Sequence, residues 1–525
     1  MNKLIPIIGM EIHVELKTKS KMFCACANDP DRGSPNTNIC PVCTAQPGTL
    51  PVPNAEAIKW TVKIATALGC QIRALSKFDR KHYFYPDLPK AYQISQYDEP
   101  VGEHGALELQ FLDGKNHRSA AKIGITRVHL EEDTAKLLHG TTGDTLVDFN
   151  RAGVPLVEIV SDPDIQSAAE AKMYCQELQM IFRALGISDA DMEKGHMRCE
   201  VNISLQEEGK FAIKNGAIKF ADGYTPYAKV EVKNINSFRA VEKAIEFEIA
   251  RQTKMIATGE KWTQQTRGWN DPKGETVMQR EKETAADYRY FPEPDIPPFE
   301  PIVITSDVTL PELPAQTRAR FHIEYGFSYA DAYLLSQDKH WAEFTEGVMS
   351  DLYEWIENLP ETAKDAEKLN ASATGGSAFG GKKTELAKLA GGWITSKLMG
   401  AMAERSIDIR ILKLKPENFG ELMALIFAGR INSTNAQKIL AEMLDSGVDM
   451  DPTHIMEEKG YGQMSDENAL GKIVDEVIKS HPDQAAAFKA GKEPLLQFLK
   501  GMVMKATEGS ADPTVTEKLL REKLK

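Results

Sequence analysis

The sequence predicts an α+β protein: a mainly antiparallel, cradle-shaped sheet domain followed by two all-α domains. Three observations carry that reading. Stretches that alternate apolar and polar residues recur four times between Ile8 and Ile235, the period of strands with one buried and one polar face. After the prolines at 292, 294, 297 and 298 the apolar spacing turns helical and stays so. And 525 residues are too many for a single core. The expected domains are 1–293, 294–406 and 407–525. With 42% hydrophobic and 26% charged residues the composition is that of an ordinary soluble protein, without an apolar run long enough to span a bilayer. The opening Met-Asn-Lys-Leu-Ile-Pro has no signal-peptide core, so a cytoplasmic location is expected. A net charge of -13 argues against a surface that attracts nucleic acid everywhere, and leaves room for a local basic patch.

The first element is a strand over Ile8 to Leu16. Met10, Ile12, Val14 and Leu16 alternate with Glu11, His13 and Glu15. Side chains two apart on a strand lie roughly 6.6 Å from each other, so Glu11 and His13 can converge on one ion or phosphate. Cys24-Ala-Cys26 and Cys40-Pro-Val-Cys43 follow, separated by a turn-rich loop. In a reducing compartment four such thiols are better read as a tetrahedral zinc site than as two disulfides. Cys70, Cys175 and Cys199 are scattered and read as core residues. Ala55 to Leu68 has helical spacing closed by Gly69. Lys77 to Tyr92 mixes cations with aromatics. Lys77, Arg80 or Lys81 can hold phosphates there and Tyr83, Tyr85 or Tyr92 can stack a base, although a loop pinned by aromatic packing has the same composition.

Gly124 to Asp133 is a strand carrying Arg127 and His129 that ends in three adjacent acids, Glu131, Glu132 and Asp133. Val154 to Val160 is an apolar strand with one carboxylate inside it, Glu158. An unpaired buried carboxylate costs several kcal/mol, so Glu158 must meet a metal, an arginine or a ligand. Arg198, Glu200 and Asn202 share one strand face, and so do Lys229, Glu231 and Lys233. Together these strands describe a sheet packed below and lined above with Glu, His, Arg, Lys and Asn, a cradle for a highly charged ligand with metal, such as a nucleotide. No Walker motif accompanies it. Gly376 to Lys383 lacks the hydroxyl after the lysine and lies in an Ala/Ser/Gly-rich stretch, read as a flexible insertion over 371–388. Helices are expected from Pro416, around Leu470 to Ile478 and from Pro513. Residues 486–525 hold eight Lys/Arg against five Asp/Glu, a mild excess that permits RNA contact.

The strings Gly9-Met-Glu-Ile-His-Val-Glu-Leu16, Lys77-Phe-Asp-Arg-Lys-His-Tyr-Phe-Tyr-Pro-Asp87, Val128-His-Leu-Glu-Glu-Asp133, Val154-Pro-Leu-Val-Glu-Ile-Val-Ser-Asp-Pro-Asp164 and Asp287-Tyr-Arg-Tyr-Phe-Pro-Glu-Pro-Asp295 resemble the B-type (GatB) subunits of the aspartyl/glutamyl-tRNA amidotransferases. The likeness runs from residue 3 to the end and lapses mainly over Ala371 to Lys388. The connection after Pro298 is too short for the domain inserted in the archaeal sister subunit. The resemblance implies a kinase cradle, a helical domain and a helical tail that helps hold tRNA. It also implies a reaction in which ATP phosphorylates the side-chain carboxylate of Glu or Asp misattached to tRNA(Gln) or tRNA(Asn), and ammonia then displaces the phosphate. By position, Glu11, His13, Glu132 and Glu158 match the metal-binding and catalytic residues, with His13, Glu132 and Glu158 holding Mg2+ and with Lys81 and Glu200 near the reacting groups; the position of Glu200 is often Asp in relatives. The four-cysteine knuckle occurs in only some members, which makes zinc accessory. The implied partners are an amidase subunit and a small third subunit of the same complex, since no activated nucleophile for glutamine is visible here. Two other readings fit the residues alone: a zinc-scaffolded RNA-binding protein without catalysis, and a metal-dependent hydrolase using His13 and Glu158.

Overall fold

In the computed structural model the described residues are 3–31, 33–111, 120–140, 143–214, 216–281, 288–359, 362, 381–464, 466–507 and 509–525. They form two compact units, Met1–Pro314 and Ala315–Lys525.

The first unit is built on β1 (Leu4–Glu15). After it come β2 (Gln71–Ile72), β3 (Asp79–His82), β4 (Tyr92–Ser95), β5 (Gly102–Gln110), β6 (Ala120–Glu132), β7 (Lys136–His139), β8 (Thr145–Asp148) and β9 (Pro155–Ser161). The remainder are β10 (Met197–Glu207), β11 (Phe211–Lys214), β12 (Ala217–Phe220), β13 (Val230–Ile235), β14 (Gln265–Asn270), β15 (Glu275–Glu281) and β16 (Phe291–Pro292). Nine of them make one sheet in the order β15-β14-β13-β10-β1-β9-β6-β5-β2. Every pair in it is antiparallel except β13 with β14. β1 is therefore a central strand, flanked by β9 and β10. Cross-strand register aligns His129, Glu158, His13 and Arg198 in one row. The next row toward the start of β1 holds Arg127, Val160, Glu11 and Glu200.

The alternation in β1 does what its period requires. Met10, Ile12 and Val14 are fully buried beneath the sheet, against helices α1 (Ala55–Ala67), α2 (Ala168–Ala184) and α3 (Phe238–Thr258), whose Ile64, Leu178 and Ile245 join the same core. Each helix starts where a side chain satisfies its first N–H groups. Asn54 accepts from Glu56 and Ala57, Ser167 from Glu170, and Ser237 from Ala240. With all three helices on one face, the other face of the sheet carries the polar side chains.

The second unit is helical. Its larger core runs from Phe321 to Ile455 and so continues across residue 406; a separate small core runs from Leu470 to Leu524. Leu470, Val474 and Val477 are buried as a core stripe, with Ile473 and Ile478 packed against it. Pro416 opens helix Pro416–Phe427, and Asp512 caps helix Pro513–Lys523. Of the stretch 371–388, residues 371–380 lie outside the described residues, and 381–388 belong to helix Gly381–Gly392.

Candidate functional site

Each polar residue of β1 heads a cluster of charged side chains. His13 heads the middle one. Its Nε2 lies 3.4 Å from Glu158 and 3.6 Å from Glu131, and His129 Nε2 lies 3.2 Å from Glu158 on the far side. Burial disfavours the imidazolium of His13, but the charge and hydrogen bond of Glu158 and the charge of Glu131 outweigh it and hold the ring up at about 9. Burial likewise opposes ionisation of Glu158, and His129 and His13 overcome it, so that carboxylate stays well below its usual range. One donor atom each from His13, Glu131 and Glu158 lie within 4.8 Å of one another, two carboxylate oxygens and a nitrogen that would give up its proton to take a divalent cation.

Glu11 heads the second cluster, with Glu200 and Glu231 offering carboxylate oxygens within 4.8 Å. Burial and then the charges of Glu158, Glu200 and Glu231 push the Glu11 carboxyl up, a crowding that a cation relieves. Lys233 partly balances it, 2.5 Å from Glu200 and 3.7 Å from Glu231. Asn202 Nδ2 donates to Glu11 at 2.8 Å, while Asn202 Oδ1 is buried without a hydrogen-bond partner among the described residues. The three acids fit a cation there. Glu15 heads the third cluster, with Asp133, Arg198 and Arg151.

Lys81 on β3 faces the middle cluster. Burial works against its charge, yet Glu131, Tyr290 and Glu158 hold its ammonium well above the ordinary lysine range. Its Nζ sits 5.3 Å from the Tyr288 ring centroid.

Glu132 is not with His13 and Glu158. Adjacent residues on a strand point to opposite sides, so the residue that joins His13 and Glu158 is Glu131. Glu132 turns away to pair with Lys90 at 2.6 Å and to accept the Ile94 N–H at 3.0 Å. It lines a cavity of about 320 Å³ shared with Cys24 and Cys43. Sequence reasoning placed Glu131 only in a run of three acids and Glu231 only on a shared face. Counting by two from His129, which faces Glu158, would have separated Glu131 from its neighbour.

The four sulfurs of Cys24, Cys26, Cys40 and Cys43 lie within 4.8 Å of one another. Tetrahedral zinc with Zn–S bonds near 2.3 Å asks for sulfurs about 3.8 Å apart, so the set fits with small adjustment. Lys21 Nζ is 3.9 Å from Cys43 Sγ and the Cys40 N–H donates to that sulfur at 3.2 Å. A hydrogen bond from Cys24, against the effect of burial, draws the Cys43 thiol down to about 5, a thiolate suited to metal.

Residues 6–308 match the GatB/GatE catalytic domain, and residues 380–524 match the GatB domain. The chain is 44% identical to the B-type subunit of the aspartyl/glutamyl-tRNA(Asn/Gln) amidotransferase of Gloeothece citriformis, over 99% of this chain and 97% of that one. It is 42% identical to the corresponding subunit of Trichodesmium erythraeum, over 99% and 97%, and 41% identical to that of Thermomicrobium roseum, over 99% and 98%. The chain belongs to the GatB family of amidotransferase subunits. It is thus an enzyme subunit of that family, and all three clusters, Lys81 and the cysteines fall within the part matching the GatB/GatE catalytic domain.

Proposed function

We propose that this chain is the carboxylate-activating subunit of an aspartyl/glutamyl-tRNA amidotransferase. Its substrates are ATP and tRNA(Gln) or tRNA(Asn) carrying Glu or Asp. A side-chain carboxylate oxygen bonds to the γ-phosphorus of ATP as ADP leaves; ammonia then attacks the acyl carbon, phosphate departs and the amide remains. The observation that carries this reading is the pairing of two carboxylate clusters along β1, Glu11-Glu200-Glu231 and His13-Glu131-Glu158, with Lys81 turned toward the second. Phosphoryl transfer makes little covalent demand on a protein and needs charge neutralised and reactants aligned. His13, Glu131 and Glu158 would hold Mg2+, and the Glu11 cluster has the donors for another cation; metal bound there neutralises phosphate oxygens. Lys81 would hold a phosphoryl oxygen, while Lys233 keeps the Glu11 carboxylates from repelling one another. The four cysteines would bind Zn2+ as a frame for the loop after β1.

The further parts of the reading follow from the family. Residues 1–293 are the kinase cradle, and the helical part beyond it, whose larger core crosses residue 406, ends in a tail that helps hold tRNA. Ammonia comes from a separate amidase subunit, with a small third subunit completing a heterotrimer in the cytoplasm. The test gives the isolated chain misacylated tRNA, ATP and Mg2+ with either ammonium chloride or glutamine. Amide formed with ammonium and not with glutamine supports the proposal. ATP use that ignores the misacylated tRNA, or amidation from glutamine by the single chain, refutes it.

A further inference from the structure

The third cluster on β1 differs in kind from the first two. Glu15 and Asp133 are buried acids, but both are committed to arginine: Arg198 Nη2 pairs with Asp133 and lies 3.3 Å from Glu15, and Arg151 Nε lies 3.6 Å from Asp133. No carboxylate is left over to bind a cation. What remains open is the guanidinium. Arg198 Nε is buried without a hydrogen-bond partner, and Nη1 makes no hydrogen bond among the described residues, while 36% of the side chain is exposed. A guanidinium with only one of its three nitrogens engaged, pinned by buried acids so that it cannot swing away, is a preorganised receptor for anionic oxygens.

Its position says which anion. Arg198 stands directly across from His13 in the register of β1 and β10. Along β1 the Glu11 cluster, the His13 cluster and the Glu15–Arg198 cluster follow one another at steps of roughly 6.6 Å. Under the function proposed above, the polyphosphate and its cations belong with the carboxylate clusters, and the acceptor must lie in line beyond the γ-phosphorus. The other anion that the in-line transfer requires at this place is the acceptor carboxylate.

We propose that Arg198 binds the side-chain carboxylate of the glutamyl or aspartyl group on tRNA, through the N–H groups of Nη1, the nitrogen that is neither buried nor engaged by Asp133 and Glu15, and so sets the acceptor beside the His13 cluster. The inference rests on the proposed function. Its test is Arg198→Lys in the complete complex, a change that keeps the charge beside Asp133 and removes the fork. Hydrogen bonds between charged groups are worth about 1.5–3 kcal/mol, so the KM for Glu-tRNA(Gln) should rise about 10- to 150-fold. The KM for ATP should stay within about threefold. So should the inhibition constant of Gln-tRNA(Gln), which has the same RNA and a neutral side chain, since rim contacts of that sort are worth less than about 1 kcal/mol. Arg198→Ala should behave likewise and recover in part with added ethylguanidinium. A parallel rise for Gln-tRNA(Gln) would mean that Arg198 holds RNA phosphate, and a rise in the KM for ATP that it holds the nucleotide. Either result, or unchanged kinetics, overturns the inference, as would equal losses in all constants tracking a lowered unfolding temperature. Should the unaltered complex show no tRNA-dependent ATP use, the proposed function itself fails and this inference with it.

Discussion

Glu131→Gln and Glu132→Gln, made separately, ask which of two adjacent carboxylates faces the chemistry. Glu131 lies 3.6 Å from His13 and completes the donor set with Glu158, whereas Glu132 is spent on Lys90 at 2.6 Å. Two unit charges about 4 Å apart interact by about 4 kcal/mol at an effective dielectric constant near 20. The amide retains one donor oxygen and part of the attraction goes to desolvation, which leaves about 2–3 kcal/mol, or a roughly 30- to 150-fold loss of cation affinity. Mn2+, followed by its electron paramagnetic resonance signal in titrations of each variant, supplies the readout. Glu131→Gln should weaken Mn2+ by that factor and stop ATP-dependent activation of misacylated tRNA. Glu132→Gln should change Mn2+ affinity by no more than about threefold, the scale of an indirect charge effect. Because Glu131 also accepts the Ser95 hydroxyl at 3.0 Å, thermal unfolding of the variant is measured alongside, so that loss of fold is not taken for loss of a ligand. Equal weakening by both substitutions, or tight Mn2+ binding by Glu131→Gln, would refute the reasoning.

Natively purified protein should contain about one zinc per chain, and its removal should lower the unfolding temperature of the unit Met1–Pro314 while leaving Ala315–Lys525 as it was, a difference that calorimetry with domain-resolved proteolysis can read. Glu248 is fully buried, and Arg251, Gln252 and Thr276 hold its carboxyl below the ordinary range against the opposing effect of burial. A depressed folded pKa contributes stability above pH 4.5 that is lost as pH falls through the folded value, so Glu248→Gln should cost about 3 kcal/mol at pH 7 and progressively less in acid, as followed by calorimetry across pH. Gly124→Ala would drive a Cβ into Asp162 Oδ2, displacing a carboxylate that accepts the Thr126 hydroxyl at 2.5 Å; unfolding should show about 1–3 kcal/mol of destabilisation.

Much of the cradle was legible because its strands obey period two with few exceptions. Met10, Ile12 and Val14 declared the buried face of β1, and the lone carboxylate in the Val154 to Val160 run marked Glu158 as engaged. Helices α2 and α3 were not anticipated. Their exposed faces carry enough charge to dilute an apolar stripe that only the sheet above them makes necessary. The site was legible as a list of residue types but not as a set of partners. Whether Glu131 or Glu132 meets Glu158, and that Glu231 meets Glu11, depends on strand order and on an irregularity in the pairing of β10 with β13 near Glu200, neither of which is written locally. Nothing local reports that Asp133 reaches Arg198 either, because those residues meet only when β6 and β10 are placed on either side of β9 and β1.

The central place of β1 also has a cost in time. Its two neighbours are β9, which begins at Pro155, and β10, which begins at Met197. At about 5–20 residues per second, roughly 10–40 s of synthesis separate the emergence of β1 from that of β10. Until β9 follows, the strand has two unpaired edges, and until β10 follows it has one, with a bare apolar face of Met10, Ile12 and Val14, the description of an aggregation seed. Glu11, His13 and Glu15 line the opposite face and put a polar, ionisable side chain at every second position of the chain, as charges do where nascent strands must be kept from pairing with one another. The side chains that gather phosphate and carboxylate chemistry in the finished cradle thus serve first as guards of an unfinished one.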